Sequence, residues 1–132
     1  MKMPSAIFLA AVGTYLAIWL MAALAMRFTG VPKGFPPFTA LPLLSGVLGG
    51  FLGAWAVFAI IRAVSAQPNR TFLFVSIAVL ALSFALPLRL SFTRAPRFFG
   101  VTPAAQMMLA LMHTVIATAA VTILTRAASL PR

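Results

Sequence analysis

The side chains equipped to do chemistry in an apolar medium gather in the last quarter of this sequence. His113 is the one histidine. Gln106 precedes it by seven residues, which on a helix puts the two on nearly the same side. Thr114, Thr118 and Thr122 follow as a neighbouring stripe at four-residue spacing. Gln106, His113, Thr114 and Thr118 therefore form the candidate polar cluster. An ionisable group in the middle of an apolar run is a functional lead by default. Its sharpest form is axial ligation of a haem or another tetrapyrrole pigment by His113, or a proton-sensitive gate. The plainer form is a neutral imidazole hydrogen-bonded to a Thr, Ser or Gln of a facing helix, with the threonines bonded back to their own preceding turn. Ligation finds no second His, no Cys and no carboxylate to complete it. The plainer form is preferred, and neither a cofactor nor a metal is expected.

What the sequence lacks narrows the chemistry further. It carries ten Lys and Arg, no Asp, no Glu and no Cys, for a formal net charge of +10. Without carboxylates it lacks the usual groups for proton relays, cation sites and general acid–base work. Nothing acidic can orient His113, and no nucleophile motif such as G-x-S-x-G occurs. The glycines cluster inside an apolar run rather than in a phosphate-cradling loop. An enzyme is not expected. Nucleic acid is not an expected partner either, because the cations stand at the ends of apolar runs. There they anchor helices and meet anionic lipid headgroups.

Those runs are the elements that must position the cluster. Hydrophobic residues make up 63% of the chain and charged residues 8%, against roughly 25% charged in a soluble domain. Four runs approach the ~20 residues that cross the hydrocarbon core. Ser5 to Met26 is closed by Arg27, and Ala40 to Ile61 by Arg62. Thr71 to Leu88 is closed by Arg89, and Pro103 to Leu124 is followed by Arg126. They are continuously apolar rather than alternating, which argues against spanning strands. In lipid the backbone must pair within its own segment, so each run reads as a helix. The expected fold is an all-α integral membrane four-helix bundle. It forms a single membrane domain over 1–132, with helices at about 5–27, 40–62, 70–89 and 103–126.

Local signals refine the ends. Thr102-Pro103 reads as an N-cap followed by Pro at the first helical position. Asn69 is the expected cap of the third helix after Gln67-Pro68. Pro42 lies where its missing N–H costs little, whereas Pro87 should end or kink the third helix. The first run also carries a signal-peptide-like pattern in Lys2 and Ala23-Leu24-Ala25. Its length, Tyr15 and Trp19 favour a retained helix. Orientation stays open. With both termini on one side, Lys2, Arg62, Arg70, Arg126 and Arg132 oppose Arg27, Lys33, Arg89, Arg94 and Arg97, five against five.

Two further patterns stand out. Phe28-Thr29-Gly30-Val31-Pro32-Lys33-Gly34-Phe35 matches Phe92-Thr93-Arg94-Ala95-Pro96-Arg97-Phe98-Phe99 at an offset of 64 residues. This suggests two tandem helical-hairpin repeats, which would point the same way across the membrane. Lys33, Arg94 and Arg97 are then candidate headgroup contacts on one face, with the phenylalanines dipping into the interface. The second pattern is Ser45, Gly46, Gly49, Gly50 and Gly53 in the second run, a small-xxx-small face suited to close helix packing. Its partner is either a neighbour in the bundle, a second copy of the chain, or a larger complex.

Four short-linked spans, the basic Pro-containing second connection from Arg62 to Arg70, and the step Leu111-Met112-His113 resemble a bacterial membrane family. It is catalogued as domain of unknown function number 6069. The resemblance covers nearly the whole chain. It implies a multi-pass protein of the bacterial inner membrane with cytoplasmic termini, and it assigns no site residue. The expected role is a non-catalytic packing or accessory component of the membrane or of a membrane complex. One alternative is a small transporter or channel for anionic or neutral solutes, its path lined by His113, Gln106 and the Thr stripe, since a cation pore normally carries acidic residues. The other is a pigment- or haem-binding bundle built on His113.

Overall fold

A computed structural model describes residues 3–89, 92 and 101–129. The described chain runs α1 (Met3–Phe28), a single 3-10 turn (Pro36–Phe38), α2 (Ala40–Val64), α3 (Pro68–Ser83), α4 (Ala85–Arg89) and α5 (Pro103–Ser129). No strand occurs among the described residues. Counting α3 and α4 as one, four helices are long and apolar enough to cross a membrane. The all-α membrane bundle is therefore what the chain forms.

The helix ends follow from local chemistry. Thr102 Oγ1 accepts the Ala105 N–H at 3.1 Å, and Pro103 fills the position where a missing donor is harmless. The expected Asn69 cap is displaced. Gln67 holds the capping position and Pro68 opens α3, which leaves Asn69 inside the first turn. The bend before it is tied by a 2.8 Å contact between the Ser65 and Thr71 hydroxyls and by the Gln67 N–H on Ser65 Oγ. Pro87 breaks its helix as expected, but one turn upstream of itself. It has no N–H for the Ser83 carbonyl and its ring crowds that oxygen, so α3 stops at Ser83 and α4 restarts at Ala85.

Helix α5 is the centre of the bundle, touching α1, α2 and α3, while α2 touches α1 and α3. Two cores result. The larger joins Ile18, Ala22 and Ala25 of α1, Val47 and Phe51 of α2, and Ala105, Met112 and Ala120 of α5. The first connection closes it from one end with Val31, Phe35 and Phe38. Gly30 and Gly34 supply the left-handed turns this requires, at φ 72° and 80°. Phe35 is fully buried and meets Phe38 edge-on at 5.2 Å. Phe28, in contrast, is exposed. The expectation that the loop phenylalanines dip into the interface fails for Phe35, which turns inward because the glycine bends fold the connection over the bundle.

The smaller core lies at the opposite end, where Phe58 and Ile61 of α2 meet Phe72 of α3 and Leu124 of α5. The Phe58 and Phe72 rings pack at 4.8 Å. Phe72 is the one residue that α3 buries fully. At the helix ends, Arg27, Arg62 and Arg70 each lie over a phenylalanine of their own helix, at 5.7 to 5.9 Å from the ring centroid.

Candidate functional site

Because α3 is held mainly through Phe72, the rest of it stands away from α2 and α5 and leaves a cavity of about 570 Å³ between them. One wall is the glycine face of α2. The second is α5 from Leu109 to Val121, including Met112, His113 and Ile116. The third is α3, through Val75, Ser76, Val79, Leu80 and Ser83.

The glycines divide into two kinds. A Cβ added to Gly50 would stand 2.6 Å from Ile116 Cγ2, closer than side-chain atoms approach one another. At Gly46, Gly49 and Gly53 an added Cβ would meet nothing within 4 Å. Among these glycines only Gly50 is pressed close to a neighbouring helix, and among the described residues the other three form a smooth wall facing open space. Ser45, the fifth residue of the pattern, is exposed and donates to the Pro42 carbonyl of its own helix at 2.9 Å.

His113 faces this cavity. Its Nδ1 lies 2.7 Å from the Leu109 carbonyl one turn earlier. A carbonyl can only accept, so Nδ1 carries the proton, and in a neutral imidazole Nε2 is left as an acceptor. No buried polar side-chain atom lacks a partner among the described residues. Nε2, which has no partner among them, must therefore reach open space. Ser83 donates to the Leu80 carbonyl at 2.7 Å, while Ser76 adds a hydroxyl to the wall with no such bond among the described residues.

The candidate cluster does not converge. Thr114 and Thr118 line a different space, a shallower groove of about 660 Å³ between α5 and Ala10, Gly13, Thr14 and Ala17 of α1. Thr122 and Arg126 continue that groove, and Thr114 donates to its own helix at Ala110. The reason is geometric: each residue turns a helix by about 100°, which carries Thr114 and Thr118 away from His113 and onto the α1 side. Gln106 lines neither space. It stands two turns before His113, beside the Ala105 contact with the larger core. A single path lined by all these residues is not formed among the described residues.

Lys33 is exposed on the first connection, whereas Arg94 and Arg97 lie outside the described residues. So does the second copy of the repeated loop, apart from Phe92. The α3 wall was missed in the sequence, although Phe72, Ser76 and Ser83 recur at helical spacing and share one face. Among the described residues no group of three His, Cys, Asp or Glu is placed to hold a metal.

Four membrane-length helices around a largely apolar cavity, with one imidazole and no carboxylate, define the class: a small multi-pass helical membrane protein. The chain belongs to the Family of unknown function (DUF6069), whose sequence profile matches residues 3–130. No curated protein and no solved structure matches it.

Proposed function

We propose that this protein is a non-catalytic accessory component of the membrane that works by holding an apolar guest in the α2–α3–α5 cavity. The observation that carries the reading is the set of glycines at that wall. A Cβ added at Gly46, Gly49 or Gly53 would meet nothing within 4 Å among the described residues, and all three are exposed. A glycine face inside a spanning helix is ordinarily consumed by a neighbouring helix; here it faces a space of about 570 Å³, within the size range of small-molecule sites. At this depth the surroundings are acyl chains, so a guest enters from the bilayer.

The test is extraction and mass spectrometry of whatever remains bound to protein purified in mild detergent. Wild type should carry an apolar compound at a fixed ratio, and Gly49→Phe, whose Cβ meets nothing within 4 Å and whose ring takes up cavity space, should lose it. A filled variant carrying the same load as wild type would reject the reading.

A further inference from the structure

Resting on that cavity reading, we infer that the guest is a hydrocarbon alcohol, a terpenol- or sterol-like molecule whose hydroxyl donates to His113 Nε2. Three observations select this class.

The first is polarity. The Leu109 carbonyl fixes the proton on Nδ1, so the open nitrogen of the neutral ring is a lone pair and its complement is an O–H or N–H donor. Ketones, ethers and esters, which only accept, have no match there. The second is charge. No Lys or Arg stands among the described residues of the cavity wall, so an ionised carboxylate or phosphate would be desolvated there with no cation among them to meet it.

The third is depth. His113 follows the first residue of α5 by ten positions, about 15 Å along the helix at ~1.5 Å per residue. That is half of a hydrocarbon core ~30 Å thick. Phospholipid headgroups stay at the surface, so only a molecule lying wholly within the apolar layer brings a hydroxyl to this level. The volume agrees with a compact guest: about 570 Å³ lies within the range of small-molecule sites. Ser76 adds a hydroxyl to the same cavity from α3.

The experiment compares farnesol, its methyl ether and farnesoic acid as ligands of the full chain in nanodiscs, read by native mass spectrometry. Farnesol should bind wild type about tenfold more tightly than the ether, the loss expected for one hydrogen bond, and the acid should bind more weakly than the alcohol. His113→Leu should erase the preference for alcohol over ether, while His113→Gln, which retains an acceptor, should keep part of it. The ¹⁵N shift of Nε2 in wild type should move on adding farnesol and stay still with the ether. Equal binding of alcohol and ether would overturn the hydroxyl assignment and leave the cavity reading standing. Failure of all three ligands to bind wild type, or their undiminished binding to Gly49→Phe, would overturn both.

Discussion

The two sides of α5 show what a helix gains from a neighbour that fills its grooves. On the α1 side, Ile18, Ala22 and Ala25 fit against α5 and α2, Phe35 with Val31 seals the end, and the space left beside Thr114 and Thr118 is a shallow outer groove. On the α3 side, Phe72 is the one fully buried residue, with Val75 half-buried beside it, and a deeper cavity follows. The two flanking spans are nearly alike in mean hydropathy, 2.2 and 2.3, so hydrophobicity does not separate them; lipid is as oily as leucine. Shape separates them. Small residues on α1 let its backbone approach, whereas the small residues facing α3 meet no counterpart and remain open.

The largest effect should come from the packed side. Phe35→Ala removes a fully buried ring and should cost about 3 kcal/mol, visible as a lower unfolding midpoint in a denaturing-detergent titration. Phe74→Ala is its contrast: that ring is 60% exposed, and the midpoint should move by less than about 0.5 kcal/mol. Equal losses would dissolve the distinction between the two sides.

Next comes a pair within one face. Gly50→Leu drives a side chain into Ile116 and should destabilise by about 2 kcal/mol through overpacking. At Gly49 an added Cβ meets open space, so Gly49→Leu should leave the midpoint unchanged. The smallest effect is at Pro87. Pro87→Ala restores a donor to the Ser83 carbonyl and removes the ring clash. Amide exchange should then slow across residues 83–88, with the overall midpoint nearly constant.

Much of the architecture was legible beforehand. Continuous apolar runs closed by arginines mark spanning helices whatever their neighbours, and Thr102-Pro103 marks a helix start from two residues alone. What depends on tertiary contact was not legible. Gly46, Gly49 and Gly50 look alike in the sequence, yet Ile116 stands over only one of them. The polar cluster dissolved because Thr114 adjoins His113 in the chain but not on the helix surface. Asn69 lost the N-cap position to Gln67, which makes no side-chain cap bond, because the proline at 68 is best placed at the first helical position.

The span made of α3 and α4 covers 22 residues and α2 covers 25, about 33 Å against about 37 Å at ~1.5 Å per residue. The two differ less in length than in stiffness, because the first is interrupted at Phe84 and the second is continuous. A bilayer that thickens or thins is matched by tilting or kinking at a cost of fractions of a kcal/mol for each ångström of misfit. That joint gives the flank beside the cavity the easier way to comply, so membrane thickness itself becomes a variable acting on that side of the molecule.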